Sequence, residues 1–289
     1  MQRSVKILGV TILALLIITI CIWHAVIRED RAGKLTVSFL DIGQGDSIFI
    51  DAPSGRQVLI DGGKNRSVLR ELSKVMPWYD RTIDVVIGTH PDQDHIGGLP
   101  DVLTRYKVSL VVESSVKDEG GTDAAALESA AAKEAGEGAR RLIAERGQVI
   151  ELGAGTYLEI LFPDRDVPSI ETNTGSVVAR LVYGGTSLML TGDSPQSIEK
   201  YLVKLDADAL TSDVLKAGHH GSRTSSSELF VGFVSPEYAI YSRGCDNSYG
   251  HPHDKVVELF KKFEILTLDT CTDGTITFVS DGRNVERRD

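Results

Sequence analysis

Cysteine is scarce in this chain: three residues in 289 cannot form a disulfide framework, so a packed core has to supply the stability. Cys245 and Cys271 are the two candidates for a single pair in an oxidising compartment. Aromatic residues make up only 6%, a thin supply for a cage around a quaternary ammonium ligand. Basic charge is also in the minority, with 31 Lys and Arg against 41 Asp and Glu and a formal net charge of −10 at pH 7. That balance excludes holding nucleic acid on a broad basic surface, so any polyanion must be bound locally. Long apolar runs are limited to one, and the 42% hydrophobic content excludes a disordered chain.

The apolar run, Ile7 to Ile27, has His24 and threonines as its only polar side chains. It meets the length of about 20 residues needed to cross a bilayer. A cleaved signal peptide has a shorter apolar core of about 7 to 15 residues and a small-residue cleavage site. Trp23 to Ile27 offers a poor one, so the segment reads as an uncleaved anchor. Cys21 lacks the small residue that a lipoprotein cysteine needs before it and reads as a buried helix cysteine. Arg3 and Lys6 flank one side, while Arg28, Arg31 and Lys34 on the other are partly offset by Glu29 and Asp30. The expected placement has the amino terminus inside and the following domain outside the cell membrane, in a single pass. The expected organisation is an anchor over residues 1–33 and one domain over residues 34–289.

From Leu35 the pattern changes to short β-branched runs: LTVSFL, DSIFIDA and QVLIDGG, separated by glycine and proline turns and read as antiparallel strands. A helix from Asn65 to Met76 precedes IDVVIGTH, whose continuous apolar run predicts a strand buried on both faces. Gly97 to Arg105 reads as a helix, LVVES as a strand, and Thr122 to Glu145 as a long Ala/Glu-rich helix that Gly136 and Gly138 weaken. VIELG and LEILFP are the next strands. The second half repeats the style with strands SVVARLVYG, TSLMLTGD, DVLKAG, YAIYS, EILTL and TITFVS. Helices are expected at Pro195 to Leu205, Ser226 to Phe233 and after Pro252. Two such halves with helices for both outer faces predict an α/β fold, a β-sandwich covered on each side by helices.

Six of the seven histidines fall into three groups, each beside Gly, Asp or Pro at the end of a predicted strand. The first group runs from Thr89 to Gly98 and places His90, Asp92, Asp94 and His95 within six residues on a turn. Four potential ligands that close can converge on a dinuclear metal site. Thr191-Gly192-Asp193 adds a carboxylate able to bridge two ions. Lys216 to Ser222 adds His219 and His220, one as a ligand and one for acid/base or phosphate contacts. Asn247 to His253 brings His251 and His253 ahead of a helix whose amino-terminal amides can receive an anion.

The hexapeptide His90-Pro91-Asp92-Gln93-Asp94-His95 resembles the H-x-H-x-D-H signature of the metallo-β-lactamase fold, with Asp92 in place of the middle histidine. Taken with Asp41 to Ser47, Leu59 to Gly63, Leu190 to Asp193, Lys216 to Ser222 and Tyr249 to His253, it resembles the ComEC-type hydrolase domain of competence proteins. The resemblance covers about Leu35 to Val279. It implies a four-layered αββα sandwich with metals at one edge, DNA uptake as the setting, and two divalent ions, Mn2+ or Zn2+. His90 and Asp92 would hold one ion, Asp94 and His95 the other, with Asp193 between them and one of His219 and His220 completing the set. His220 is preferred because it directly precedes Gly221. Asp41, Asp46 and Asp61 would orient these ligands. Asp94, His219, His251 and His253 would be catalytic, and Lys216, Ser222 and Asn247 would bind substrate, with Arg223 and Arg243 as further candidate phosphate contacts. Two departures stand out. No histidine lies between His95 and Asp193, where Asn173 or Ser176 occupies the region of a further family imidazole. The expected chain has one anchor in place of a polytopic channel and would not transport DNA unaided.

Two metal ions in such a site lower the pKa of a water and stabilise charge on attacking and leaving oxygens, and the swap of an imidazole for Asp92 hardens the ligand set toward manganese. The expected function is therefore a membrane-anchored, metal-dependent hydrolase, a phosphodiesterase or nuclease acting on DNA or another phosphodiester. The alternatives are a cell-envelope phosphorylcholine esterase and a non-catalytic, metal-stabilised binding module. Protein partners are not indicated.

Overall fold

Alternation of buried side chains along the strands sets the layers. The computed structural model describes residues 2–29, 31–118, 120–165 and 171–288, with the side chains of residues 6–23 in the first span. Met1, Asp30 and Asp289 of the expected spans 1–33 and 34–289 lie outside the described residues, as do the side chains of Arg3, His24, Arg28 and Glu29. Two compact units are present, Met1–Ala32 and Gly33–Asp289.

The first unit is helix α1 (Gln2–Glu29), whose stretch Lys6–Trp23 has a mean hydropathy of 2.5, with none of it buried. By length and composition it suffices to cross a membrane. Cys21, expected to be buried, is exposed on this helix.

In the second unit, β1 (Leu35–Phe39), β2 (Ile48–Asp51) and β3 (Gln57–Ile60) form an antiparallel meander. Parallel strands β4 (Thr82–Gly88), β5 (Lys107–Glu113) and β6 (Arg140–Ile143) continue it. Helices α2 (Ser67–Val75), α3 (Gln93–Ile96), α4 (Leu99–Arg105) and α5 (Thr122–Gly136) fall between these strands. The second half opens with antiparallel β7 (Val149–Gly153), β8 (Thr156–Phe162), β9 (Val178–Tyr183) and β10 (Thr186–Leu190). Parallel strands β11 (Val214–Lys216), β12 (Tyr238–Tyr241) and β13 (Leu266–Asp269) follow. They are interleaved with α6 (Gln196–Asp206), α7 (Glu228–Val234) and α8 (Asp254–Lys262). After α9 (Thr270–Asp273), strands β14 (Ile276–Ser280) and β15 (Val285–Arg288) return to the first sheet beside β1.

The result is an eight-stranded and a seven-stranded sheet. Ile48, Ile50, Val58 and Ile60 point to the space between sheets, where they meet Leu158, Ile160, Leu188 and Leu190. Phe49 and Leu59, one position out of phase, pack instead with Leu72, Leu99 and Val102 of the helices on the outer face. Met189 likewise packs with Leu202, Phe230 and Phe260 on the other side. Period-two alternation thus yields helix, sheet, sheet and helix layers with three apolar seams, the expected αββα sandwich.

Two expectations need correction. The helix expected to reach Glu145 ends at Gly136, and Arg140–Ile143 is a strand. Gly138 at φ +108 turns the chain, and parallel pairing with β5 outweighs the helical propensity of the arginines. Strand β15, with its run of charged residues, carried no apolar signal and was not expected.

Candidate metal centre

In both sheets the strands next to the centre are parallel, so their carboxyl ends open on one edge, the place where ligands bind in such sheets. Asp61 follows β3, the His90 to His95 turn follows β4, Asp193 follows β10, His219 and His220 follow β11, and His251 lies beyond β12. The β1–β2 loop brings Asp46 to the same edge. At Gly45 a Cβ would lie 1.9 Å from the Asp94 carbonyl oxygen, and the Asp46 N–H donates to that oxygen at 3.2 Å. Glycine is what allows this approach.

Asp46, His95, Asp193 and His220 are all buried and present ligand atoms within 4.8 Å of one another. His95 Nε2 stands 3.3 Å from Asp193 Oδ1, and His220 Nε2 stands 3.3 Å from Asp193 Oδ2. His90 is buried with its ring centroid 4.1 Å from that of His95, and Asp94 Oδ2 lies 3.4 Å from His220 Nε2. Asp92 is more open, its Oδ2 3.7 Å from His90 Nε2. The buried atoms His90 Nε2, His95 Nε2, both ring nitrogens of His220 and Asp46 Oδ1 have no hydrogen-bond partner. Unpaired buried donors and acceptors are costly, and imidazole and carboxylate atoms left unpaired around one point fit a divalent cation.

Neighbouring residues fix the ring directions. Asp61, at φ +59, accepts from the Thr89 N–H at 2.8 Å and from its hydroxyl at 2.7 Å, and its Oδ2 lies 2.8 Å from His95 Nδ1. A carboxylate oxygen accepts, so His95 Nδ1 donates to it and Nε2 is the ring atom that faces the cluster. Asp46 Oδ1 stands 3.3 Å from His220 Nδ1. His219 and His220 hold left-handed backbone at φ +49 and +56, a conformation costing roughly 1–3 kcal/mol per residue that clusters at functional sites.

The charges agree. Burial disfavours protonated His95 and His220, but Asp193 with Asp61, and Asp193 with Asp46, raise both well above the usual histidine value. Burial opposes the charged form of Asp193 too, yet His220, His95 and Lys216 hold it well below the usual carboxylate range. A carboxylate field that draws positive charge onto these rings also favours a cation among them. Burial and then His95 push His90 well below the ordinary value, and burial followed by His219 and His220 pushes His251 down to about 4.

Other expected residues have different duties. Lys216, expected to meet substrate phosphate, is fully buried, with its ammonium 2.5 Å from Asp46 Oδ2, 3.4 Å from Asp193 Oδ1 and donating to the Gly192 carbonyl at 2.8 Å. It offsets site carboxylates and has no exposed charge for a phosphate. Asn247, also expected to bind substrate, donates to the Gly244 and His251 carbonyls and accepts from the His251 N–H, all at 2.9 Å, which shapes its own loop. Ser222 is buried with its hydroxyl 3.0 Å from that of Thr224. Arg243 is committed to Asp269 at 2.6 Å. Asp41 stays outside the cluster, where its Oδ1 accepts from the Gly43 N–H. The His251 ring stacks on Tyr249 at 5.6 Å and meets His253 and His219 edge-on at 5.0 and 5.4 Å between ring centroids.

Three contributors had weak signals in the sequence. Asp46 stands among the four clustered residues instead of behind them. Thr89 positions Asp61 and lies 3.0 Å from His90 Nδ1, and Ser176 accepts from the Asp193 N–H at 3.3 Å. Their signal was only a hydroxyl or carboxylate beside a strand end.

An αββα sandwich with histidines and aspartates gathered at its strand edge defines a metal-dependent hydrolase class. The family profile of the Metallo-beta-lactamase superfamily matches residues 40–244, and the chain belongs to that superfamily. It is 33% identical to ComE operon protein 3 of Bacillus subtilis over 84% of this chain and 32% of that protein. It is 34% identical to competence protein ComA of Neisseria gonorrhoeae over 68% of this chain and 25% of that protein. The chain therefore spans about a third or less of these relatives. A metallo hydrolase of Ignicoccus hospitalis shares the fold, with a TM-score of 0.52 and 15% identity over 84% of this chain and 98% of that one.

Proposed function

We propose that the chain is a membrane-anchored phosphodiesterase that cleaves DNA, with two divalent ions, Mn2+ or Zn2+, at the cluster and its hydrolase domain, residues 34–289, outside the cell membrane. The observation that carries the reading is the convergence of Asp46, His95, Asp193 and His220, flanked by His90, Asp92 and Asp94. Similarity to competence proteins supports DNA as the substrate. Helix α1 supports the anchor, and the disulfide between Cys245 and Cys271 fits an oxidising compartment.

Bound ions would activate a water and neutralise charge on the phosphodiester. Asp46, His90, Asp92, Asp94, His95, Asp193 and His220 would hold them, with Asp61 keeping the His95 imidazole in place. Asp94, held below the usual carboxylate range despite burial and by His220 and His95, is ionised at neutral pH, so it would hold an ion and accept a hydrogen bond that orients the attacking water. His219, pushed down by burial, and His251 are uncharged at that pH and offer ring N–H groups to phosphate oxygens. His253 Nδ1 accepts from the Arg223 N–H at 3.2 Å, so its hydrogen sits on Nε2, available to the leaving oxygen.

The test is manganese-supported cleavage of single- and double-stranded DNA beside p-nitrophenyl phosphorylcholine, with His95→Ala as the control for contaminating nuclease. Wild type is expected to carry close to two ions per chain and to cut DNA, and the variant to lose the cutting. Turnover of the choline ester alone would replace this reading with the esterase. Metal uptake without turnover would leave a binding module.

A further inference from the structure

Beside the metal centre, the wall formed by His90 and Pro91 opens into a cavity of about 610 Å³, within the range of roughly 300–1,000 Å³ usual for ligand sites. It lies between the carboxyl end of β5 with the segment after it and the first turns of α5. Ile96, Val116 and Leu127 give it a predominantly carbon lining.

Its polar edge is the triad Glu113, Arg141 and Glu128. The Arg141 guanidinium reaches Glu113 at 2.8 Å and grips Glu128 through both terminal nitrogens at 2.8 and 2.6 Å. One cation is thus shared by two carboxylates, and the other lining charges, Lys117 and Asp118, offset each other. Among the described lining residues no surplus positive charge is left to attract a phosphate, which belongs with the metal centre next door. The carboxylates keep lone pairs beyond those the guanidinium uses. Apart from His90 the described lining residues hold no aromatic ring, so among them the box of aromatic faces that suits a quaternary ammonium is missing. A flat, uncharged group with a hydrogen-bonding edge matches the apolar walls and polar rim.

We infer that this cavity receives the nucleobase of the nucleotide adjoining the scissile phosphodiester. His90 lines the cavity and packs against His95 of the cluster, so a nucleotide with its base in the cavity would have its phosphate directed toward that side. The inference rests on the phosphodiesterase reading and adds to it a subsite that grips the base.

The test uses the full-length chain in detergent with manganese, comparing wild type with Ala125→Trp. Ala125 lines the cavity from a solvent-exposed position on α5, so the indole enters the space without disturbing the packed core. Calorimetry is expected to show deoxyadenosine 5′-monophosphate binding wild type about tenfold more tightly than deoxyribose 5-phosphate, a difference of about 1.4 kcal/mol. The substitution is expected to erase that advantage and to raise KM for an oligonucleotide while leaving turnover of methyl p-nitrophenyl phosphate unchanged. Equal affinity of the two phosphates for wild type, or an undiminished advantage in the variant, would overturn the inference. So would phosphorylcholine binding that Ala125→Trp abolishes. If wild type cleaves neither diester, the phosphodiesterase reading fails by itself, and the nucleotide binding comparison still decides what the cavity holds.

Discussion

Asp61 shows how a carboxylate behind the candidate metal centre can orient one of its imidazoles. Its carboxylate accepts from two groups of Thr89 and from His95 Nδ1, which keeps the hydrogen on Nδ1 and turns Nε2 toward the cluster. Asn in its place can turn its N–H₂ toward His95 Nδ1, and the ring then favours the tautomer with hydrogen on Nε2, where a metal would bind. Asp61→Asn is expected to weaken metal affinity by about 10- to 100-fold while leaving the thermal midpoint of the metal-free protein within a few degrees. Competition against a chromogenic chelator measures the first and circular dichroism the second. Lys216 shows the converse, since its burial against Asp46 and Asp193 converts what looks like a phosphate-binding lysine into a fixed counter-charge for the ligands.

At the scale of elements, α6 and α7 are joined by one buried carboxylate. Glu199 accepts from the Ser226 and Ser227 N–H groups, each at 2.6 Å, and so holds the segment between the His219–His220 turn and α7. Burial pushes its carboxyl up to about 6, despite the two backbone donors. Because the folded value lies above the unfolded one of 4.5, the protonated form favours folding. That contribution is present below pH 4.5 and is lost as pH rises through 6. Between pH 4 and 7, wild type is expected to lose on the order of 2 kcal/mol relative to Glu199→Gln. Urea unfolding of both proteins across that interval checks the slope, and parallel curves would refute it.

For the whole molecule, the proposed anchor raises the question of which side of a membrane the second unit would occupy. Helix α1 has the length and hydropathy of a span, and the disulfide links Cys245, on the loop carrying His251, to Cys271 of α9. A structural disulfide is expected outside the reducing cytosol. Alkaline phosphatase fused after Asp289 is expected to be active, since that reporter folds actively only in an oxidising compartment; an inactive fusion of normal abundance would place the domain inside. Deletion of residues 1–33 is expected to leave a soluble domain that still binds metal.

Local sequence determined the parts that depend on near neighbours. The alternation in Ile48-Phe49-Ile50 and Val58-Leu59-Ile60 gave the two faces of a sheet, because side chains reverse at every residue of a strand. Histidines beside Gly, Asp or Pro at strand ends marked the edge of the candidate metal centre, since a turn is where short-range ligands can converge. The tertiary structure decided what depends on strand order. Asp46, Asp193 and Lys216 are far apart in the chain, and only parallel pairing of β10 with β11 and the return of the β1–β2 loop bring them into contact, which makes Lys216 a buried counter-ion. Strand pairing also converted Arg140–Ile143 from expected helix to edge strand, because the hydrogen bonds to β5 exist only once β5 is in place. The assignment of Asn247 to its own loop and the nearness of Cys245 to Cys271 follow from the same cause. Spacing along a chain records which groups can meet locally, whereas burial and partner choice arise only when distant strands close over them.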